Sequence, residues 1–269
     1  MKLANRVAVV TGAGGGIGRA IAIALARRGC HLALADIDGD AAADCARHAR
    51  ALGVRASVHP LDVADRAAVR ALPSQVDAVH NRVDLVVNNA GVALGGSFEQ
   101  VGEDDFDWLM EINFHGVVRM TRAFLPHLRL SNDARIVNVS SIYGIIAPPG
   151  QSAYAASKFA VRGFSHALRH ELEGSTVAVS VVHPGGVATA IAKNARAPAG
   201  APPHEIEKGR AIAERLLRMA PEQAGEIIVR GIEQRRARIL VGSDAKIAAL
   251  LERLSPVHYW QLIRKATAR

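Results

Sequence analysis

The sequence contains only two cysteines, Cys30 and Cys45, and they are too far apart to form a CxxC pair. Disulfide frameworks and structural zinc sites need more cysteines at regular spacing, so the sequence indicates neither and we expect no bound metal. Among the eleven histidines, His166 and His170 share a helix face, but no HExxH pattern or third ligand accompanies them. A chain without disulfides fits a reducing compartment, and we expect a cytoplasmic protein.

Long apolar stretches are also missing. The run Ala20–Ala26 is among the longest, whereas a membrane-spanning helix needs about 20 apolar residues. The first residues lead directly into an apolar strand at Val7–Val10, without the charged region, apolar stretch and cleavage site of a signal peptide. We therefore expect neither a membrane span nor a signal peptide.

Aromatic residues make up only 4% of the chain, which affects how its net charge of +8 is interpreted. Residues 1–192 hold 18 basic and 17 acidic residues, whereas residues 193–269 hold 15 and 8. Nucleic-acid surfaces usually combine basic with stacking aromatic side chains, and this basic segment offers only Tyr259 and Trp260, so we expect no nucleic-acid partner. We interpret the segment as a solvated or subunit-facing surface, with attraction to an anionic substrate or membrane as the alternative.

Apolar residues are abundant: 49% of the chain is hydrophobic and 22% is charged, which suffices to bury a sheet between layers of helices. We expect one domain spanning residues 1–269. Short aliphatic runs alternate with longer helical patterns, as is typical of a parallel sheet with crossover helices. The predicted strands are Val7–Thr11, Leu32–Asp36, Arg55–His59, Leu85–Asn88, Arg135–Ser140, Val177–Val182 and Arg238–Val241. The predicted helices are Ile17–Arg28, Ala41–Leu52, Arg66–His80, Phe106–Arg129, Ala153–Leu172 and Pro221–Gln234.

Two C-terminal segments depart from this alternation. Three prolines and a glycine between Ala195 and His204 disfavour regular structure after the sixth strand. Because ligands bind beyond the carboxyl ends of the strands in such sheets, residues 190–220 are predicted to form an insert that covers the substrate; an inert surface loop is the equal alternative. Residues 243–269 are predicted to form a basic helical extension. Its tail, Pro256–Ala268, is expected to pack on a neighbouring subunit, with contact to a membrane interface as the less favoured alternative.

A glycine-rich turn, TGAGGGIG over Thr11–Gly18, follows the first predicted strand and precedes a helix. Such a turn lets backbone N–H groups and a helix N-terminus approach a pyrophosphate. Asp36 ends the second strand, where its carboxylate can bind ribose hydroxyls and would repel a 2′-phosphate. Ile37 supplies no compensating cation, so we expect NAD rather than NADP. The alternative is that Asp36 caps the following helix.

Tyr154 and Lys158 form the most informative pair of side chains. Residues four apart on a helix share one face, so the ammonium group can lie beside the phenol. A free tyrosine has a pKa near ~10, and both Lys158 and the positive nicotinamide ring of an oxidised cofactor would lower it. Tyr154 would then exchange a proton with the substrate oxygen while a hydride moves at carbon.

Over residues 6–189 the sequence resembles the short-chain dehydrogenase/reductase family. Its turn matches the family's TGxxxGxG, Asn88–Gly91 its NNAG segment, Tyr154 and Lys158 its YxxxK pair, and Pro184–Thr189 its PGxVxT segment. The resemblance implies a Rossmann-type doubly wound α/β fold, with a seven-stranded parallel sheet of order 3-2-1-4-5-6-7 and helices on both faces. It also implies that a nicotinamide cofactor is bound by Gly12, Gly14, Gly16, Ile17, Gly18, Asp36, Ile37, Asp62, Val63, Asn89, Ala90, Gly91, Tyr154, Lys158, Pro184, Gly185, Val187 and Thr189. Without the resemblance, Asp62 and Thr189 are most simply local caps.

The resemblance further implies a catalytic tetrad of Asn113, Ser141, Tyr154 and Lys158. Ser141, thirteen residues before the tyrosine, would orient the substrate oxygen in preference to Ser140, and Asn113 would help hold a water connected to the lysine. Tyr143 lacks a lysine four residues later and is interpreted as a wall of the pocket. For His183, next to Pro184, packing at a strand end is favoured over proton transfer.

The residues expected to border the substrate are mainly aliphatic: Ala93, Leu94, Ile142, Ile145, Ile146 and Gln151. They favour a hydrophobic secondary alcohol or ketone as substrate. The predicted function is therefore NAD-dependent interconversion of such an alcohol and its ketone (EC 1.1.1.-). One alternative is an NADPH-dependent reductase of 3-oxoacyl thioesters, which Asp36 disfavours; another is a catalytically silent dinucleotide-sensing or scaffold protein, which the intact tetrad disfavours. By resemblance we also expect a homo-oligomer, a dimer or a homotetramer, built through the helices at Phe106–Arg129 and Ala153–Leu172.

Overall fold

The computed structural model describes residues 1–267, and its centre is a parallel sheet of seven strands. The strand order is β3-β2-β1-β4-β5-β6-β7, and every neighbouring pair is parallel. All five residues of β1 and all six of β5 are buried, as expected for strands covered on both faces. The strands are β1 (Val7–Thr11), β2 (His31–Asp36), β3 (Ala56–Pro60), β4 (Leu85–Asn88), β5 (Ala134–Val139), β6 (Val177–Pro184) and β7 (Arg238–Val241).

Helices cover both faces of the sheet. Residues of α1, α2 and α8 form one apolar core with the sheet, and residues of α3, α5 and α6 form the other. The chain thus has the predicted α/β fold, and both the doubly wound Rossmann-type architecture and the strand order are confirmed. The helices are α1 (Gly16–Ala26), α2 (Gly39–Ala51), α3 (Arg66–His80), α4 (Glu103–Met110), α5 (Gly116–Arg129), α6 (Ser152–Glu171), α7 (Pro203–Leu216), α8 (Pro221–Glu233), α9 (Ser243–Leu254) and α10 (Tyr259–Thr267).

Most predicted bounds agree with the structure to within a few residues, but the helix predicted over Phe106–Arg129 starts three residues too late and misses a π-helical turn. The helical segment begins earlier, at Glu103, where three acidic residues in the first turn of α4 complement the helix dipole. A π-helical turn at Glu111–His115 then separates α4 from α5. Such turns often occur at functional sites because the extra residue redirects a side chain. Here the turn carries the buried side chain of Asn113.

The segment after β6 starts as an irregular stretch and then becomes helical. α7 begins at Pro203, a favourable first position for proline, so part of the predicted break lies inside a helix. α9 and α10 follow β7, and Ala268 and Arg269 of the predicted extension lie outside the described residues. Within residues 1–267, the helices are all too short or too polar to cross a membrane.

Candidate active site

The glycine turn lies at the carboxyl end of β1 and is packed too closely to accept side chains at two positions. Gly12 has a φ of +64°, in the left-handed region. A Cβ on Gly18 would lie 1.9 Å from the carbonyl oxygen of Gly12. Ile17 is partly buried against the core beneath α1, so it anchors the helix while the glycines leave the turn's backbone accessible.

The segment after β4 holds this turn in place. The side-chain amide of Asn89 donates to the carbonyl oxygens of Thr11, at 3.0 Å, and Gly12, at 3.2 Å. The hydroxyl of Thr11 accepts from the backbone N–H groups of Asn89 and Ala90, both at 3.0 Å. The NNAG segment and the glycine turn therefore form one rigid unit at the carboxyl end of the two central strands, β1 and β4.

Asp36 points from the end of β2 into the glycine turn. Its carboxylate accepts from the backbone N–H of Gly14 at 2.7 Å and from that of Asp38 at 3.0 Å. The cap of α2 is Asp38, whose side chain accepts from Ala41 N–H at 2.9 Å. Asp36 is thus not the helix cap, and its carboxylate lies at the turn that the cofactor argument requires. The side chain of Ile37 is exposed.

Asp62 and Val63 follow β3. Asp62 is exposed and accepts from the backbone N–H of Ala64 at 2.8 Å, whereas Asp65 caps α3. Val63 is buried against Gly116, where a Cβ would lie 2.8 Å from the valine Cγ2. Asp62 therefore stabilises its own loop, and its contact with the cofactor stays a prediction.

The turn after β6 brings Thr189 of the PGxVxT segment beside the glycine turn. A Cβ on Gly16 would lie 3.1 Å from the Cγ2 of Thr189. Pro184 and Val187 are buried, and a Cβ on Gly185 would lie 2.1 Å from Asp244 Oδ1.

Asp244, on α9, is a contributor that the sequence analysis missed. Its carboxylate accepts from the backbone N–H of Gly186 at 2.6 Å, so it fixes the turn after β6. No local pattern indicates this residue, because its partner lies 58 positions earlier in the chain.

Tyr154 and Lys158 lie together on α6, as their spacing predicts. The Lys158 Nζ lies 5.5 Å from the centroid of the Tyr154 ring. Burial raises the pKa of Tyr154 to about 12, while a hydrogen bond with Ser141 acts to lower it. Burial also lowers the pKa of Lys158 to about 8. That Lys158 and an oxidised nicotinamide ring lower the pKa of the phenol stays a prediction, and desolvation of the phenol acts in the opposite direction.

Ser141 and Ser140 have separate roles in the structure. Ser141 accepts from the backbone N–H of Tyr143 at 3.1 Å and hydrogen-bonds Tyr154. Ser140 instead donates to the carbonyl oxygen of Lys158 at 2.8 Å and so supports α6. The rings of Tyr143 and Tyr154 meet edge to face, with centroids 6.1 Å apart, and the role of Tyr143 as a wall of the pocket stays a prediction.

Asn113 joins the site from the π-helical turn. Its side chain accepts from Val92 N–H at 2.8 Å and donates to Val92 O at 3.0 Å and to Ser157 Oγ at 3.1 Å. A Cβ on Gly91 would lie 3.0 Å from Asn113 Oδ1 and 3.3 Å from Lys158 Nζ. Glycine at this position therefore lets the amide and the ammonium group lie close together. All four predicted catalytic residues converge.

His183 is fully buried behind Ser141. Its Nδ1 lies 2.9 Å from the carbonyl oxygen of Ser141; since a carbonyl oxygen only accepts, the imidazole carries its proton on Nδ1. Burial lowers the pKa of His183 to about 4, so the ring is neutral at working pH. The structure shows packing with one directed hydrogen bond, as favoured from the sequence.

The predicted substrate-bordering residues fall into two groups. Gln151 Nε2 would lie 3.7 Å from a Cβ on Gly95, and Leu94 belongs to an apolar cluster that includes Tyr154; Ala93 precedes Leu94 in the same loop. Ile142, Ile145 and Ile146 form a second cluster with Ala248 and Ala249 of α9. The side chains of Ile145 and Ile146 are almost fully buried there, and their contact with a substrate stays a prediction.

The family model for short chain dehydrogenases matches residues 6–200, which include this whole constellation. The chain belongs to the short-chain dehydrogenase/reductase family. It is 44% identical to the SadH protein of Mycobacterium tuberculosis, over 98% of this chain and 96% of that protein. It is 33% identical to the 3-oxoacyl-[acyl-carrier-protein] reductase FabG of Thermotoga maritima, over 70% and 77% of the respective chains.

Solved structures of short-chain dehydrogenases share the fold. A Burkholderia phymatum family member in complex with NAD matches with a TM-score of 0.88 and 30% identity, over 95% of each chain. An alcohol dehydrogenase from Thermococcus sibiricus complexed with 5-hydroxy-NADP matches with a TM-score of 0.74 and 28% identity, over 88% of this chain and 94% of that one. The protein is thus a short-chain dehydrogenase/reductase oxidoreductase, from a family whose members bind NAD or NADP.

Proposed function

We propose that the protein is an NAD-dependent oxidoreductase that interconverts a hydrophobic secondary alcohol and its ketone. The observation that carries the proposal is the convergence of Asn113, Ser141, Tyr154 and Lys158 beside the glycine turn. A bound nicotinamide would supply the hydride acceptor or donor. The glycine turn, Asp36, the NNAG segment and the turn around Thr189 would hold that cofactor, because their backbone N–H groups and small residues leave room for it.

Tyr154 moves the proton in this scheme. In oxidation the phenol oxygen takes the proton of the substrate hydroxyl as the carbon loses a hydride, and in reduction it returns the proton. Ser141 orients the substrate oxygen by a hydrogen bond. Lys158, on the same face of α6, stabilises the phenolate form by its positive charge. Asn113 hydrogen-bonds the backbone of Val92 and so holds the π-helical turn against that loop, close to the Lys158 ammonium group.

The preference for NAD over NADP rests on Asp36. Its carboxylate is anchored by two backbone N–H groups, so it cannot easily swing away from a ligand at the end of β2. A ribose with two hydroxyls can donate hydrogen bonds to it, whereas a 2′-phosphate would bring like charge close together.

A hydrophobic substrate is supported by the apolar surroundings of the phenol. Leu94, Leu109 and Ala153 are buried in the cluster that includes Tyr154, and Ile142 lies next to Ser141. A pocket with apolar walls and a few converging polar groups favours an apolar body with one hydroxyl or carbonyl group.

The second candidate is an NADPH-dependent reduction of 3-oxoacyl thioesters. The similarity to FabG of Thermotoga maritima favours it, and a net charge of +8 would suit an acidic carrier. Asp36 argues against the phosphorylated cofactor, so we rank this function second.

Two measurements test the proposal. Fluorescence titration should show much tighter binding of NADH than of NADPH, and Asp36→Asn should reduce the difference; equal affinities in the wild type would contradict the NAD preference. A panel of hydrophobic secondary alcohols with NAD⁺ should reveal turnover that Tyr154→Phe lowers by about 10²- to 10⁴-fold. Cofactor binding without turnover of any alcohol would favour a dinucleotide sensor, and turnover of 3-oxoacyl thioesters with NADPH would favour the second candidate.

We also propose a homo-oligomer assembled through the α4–α5 segment and α6, as a dimer or a tetramer. Light scattering on the purified protein would measure its mass, and a monomer at micromolar concentration would contradict this proposal.

A further inference from the structure

The irregular segment after β6 is joined to the loop that follows the NNAG segment. The backbone N–H of Arg196 donates to the carbonyl oxygen of Ala93 at 3.0 Å, and Gly95 N–H donates to the carbonyl oxygen of Arg196 at 3.4 Å. Leu94 and Arg196 thus form a single parallel bridge outside the central sheet. The first loop carries Ala93 and Leu94, which are predicted to border the substrate, and the second belongs to the predicted cover, so the bridge joins the cover to a predicted wall of the pocket.

The side chain of Arg196 makes two contacts with α4. Its guanidinium carbon lies 3.7 Å from the centroid of the Trp108 ring, and its Nη1 lies 2.8 Å from Asp105 Oδ1. A guanidinium group stacked on an indole while paired with a carboxylate is held in one orientation, since each contact restricts the other's freedom. Asp105 and Trp108 are three residues apart and therefore lie on the same face of α4.

Close backbone packing accompanies these contacts. Gly96 has a φ of +141°, and a Cβ there would lie 2.5 Å from Pro198 Cγ. Gln100 Nε2 donates to Glu205 Oε2 at 2.9 Å, which extends the attachment to the start of α7. Every residue of α7 is at least partly exposed, so the helix itself gives the segment little buried surface to hold it down.

Packed side chains connect Arg196 to the proposed catalytic residue Tyr154. Trp108 and Tyr154 both pack against the buried cluster of Leu94, Leu109 and Ala153. Arg196 therefore touches, on one side, a residue of the cluster that surrounds the phenol. On the other side its backbone is paired with the loop that carries Leu94.

We infer that Arg196 is a positioning residue that holds residues 190–202 closed over the substrate pocket. This inference rests on the proposed function, because it assigns that segment the substrate-covering role. The residue acts through Trp108 and Asp105 rather than by touching the reacting atoms. Because its charge is paired with Asp105, Arg196 shapes the pocket wall without recruiting an anionic substrate.

The test compares Arg196→Ala and Arg196→Lys with a matched control, Arg230→Ala. Arg230 forms an exposed pair with Glu226 at the same 2.8 Å distance, but on α8. Arg196→Ala should raise KM for the alcohol about tenfold with kcat and NADH affinity nearly unchanged, since it removes a stacking contact and an ion pair. Arg196→Lys keeps the charge but not the planar stack, so its KM should lie between the values of the wild type and of Arg196→Ala. Arg230→Ala should match the wild type.

A second readout does not depend on turnover. Hydrogen exchange measured by mass spectrometry should be faster in peptides covering residues 92–97 and 190–202 of Arg196→Ala, because the backbone bridge between the two loops should open more often once the side-chain contacts with Trp108 and Asp105 are lost. Exchange in β1 and β5 should not change. In a Trp260→Phe background Trp108 is the remaining tryptophan, and its emission should shift to longer wavelength in Arg196→Ala as the ring becomes exposed.

The outcomes separate this inference from the proposed function. Unchanged exchange and emission in Arg196→Ala overturn the attachment, whatever the substrate is. Faster exchange with unchanged KM overturns the positioning role but leaves the reaction intact. If no alcohol is turned over, the proposed function fails, and the exchange and emission data still decide whether Arg196 holds the segment.

Discussion

The Nδ1–H of His183 donates to the carbonyl oxygen of Ser141 at 2.9 Å. Both residues are buried, so the bond fixes the backbone of the serine whose hydroxyl meets Tyr154. The other ring nitrogen, Nε2, has no hydrogen-bond partner among the described residues. The imidazole thus makes one directed contact, which indicates that His183 positions Ser141 and does not relay a proton.

We predict that His183→Leu lowers kcat about tenfold with little change in cofactor affinity, because the Ser141 carbonyl keeps only its hydrogen bond from the Gly144 N–H and the serine is less well oriented. His183→Asn offers an amide N–H near the position of Nδ1 and should recover most of the activity. Steady-state kinetics of both variants checks this. His170→Leu, at an exposed position on α6, is the control; equal losses in the Leu and Asn variants would assign His183 to packing alone.

The glycine turn offers a matched pair of substitutions. Gly18→Ala places a Cβ 1.9 Å from a backbone oxygen, whereas Gly15→Ala has no atom within 4 Å and an ordinary extended φ of −149°. We expect Gly18→Ala to cost about 3 kcal/mol of stability and Gly15→Ala less than about 1 kcal/mol. Thermal unfolding should show a Tm lower by about 10 °C for Gly18→Ala only. Similar values of Tm for the two variants would contradict the described packing of the turn.

Two buried histidines predict loss of stability in mild acid. Burial lowers the pKa values of His80 and His183 to about 4, compared with an ordinary value of about 6.5 in the unfolded chain. The unfolded state therefore binds more protons below pH 6.5, and stability falls as the pH falls from about 6.5 towards 4. Each histidine should cost about 2 kcal/mol at pH 5 relative to pH 7. Urea unfolding at both pH values measures the effect.

His80 provides the control for that experiment. It lies at the end of α3, where its Nε2 is 2.9 Å from Ser57 Oγ, and that hydroxyl is also 2.7 Å from His59 Nε2. Arg55, His59 and His31 all act to lower its pKa further. His80→Gln removes this titration, so its stability should depend less steeply on pH. An unaltered slope would show that His80 does not contribute.

Lys158 predicts the pH dependence of catalysis. Its pKa of about 8 means that the ammonium group is charged below pH 8 and neutral above it. Because the charged form stabilises the phenolate left after Tyr154 gives up its proton, the rate of ketone reduction should fall as the pH rises through about 8. Lys158→Arg keeps its charge at high pH and should move that fall upward. A single-turnover profile that is flat between pH 7 and 9 would exclude this role.

The fold could be predicted largely from local patterns. β1, β4, β7 and α3 begin and end where their apolar periodicity and caps place them. The tetrad was predictable because its spacing is local for Tyr154 and Lys158 and typical of the family for Asn113 and Ser141. The π-helical turn was not, since its sequence still has helical character and only tertiary packing of Asn113 reveals the extra residue.

Long-range partners account for the rest of what the sequence did not reveal. Arg196 meets Asp105 across 91 positions, and Asp244 meets Gly186 across 58. Such pairs leave no periodic signal, because Arg196, Asp105 and Asp244, each considered alone, resemble ordinary charged surface residues. The raised pKa of Tyr154 was likewise not predicted, because it depends on how the folded chain packs around the phenol.

The contact of Asp244 with the turn at Gly186 has a consequence for the order of folding. The glycine turn, Asp36 and the tetrad all precede α9 in the chain, yet the neighbourhood of Thr189 is completed only when α9 docks. A refolding chain should therefore gain full affinity for a dinucleotide only after α9 has docked. Asp244→Ala should bind NADH more weakly than the wild type in fluorescence titration, and equal affinity would show that the turn forms without this contact.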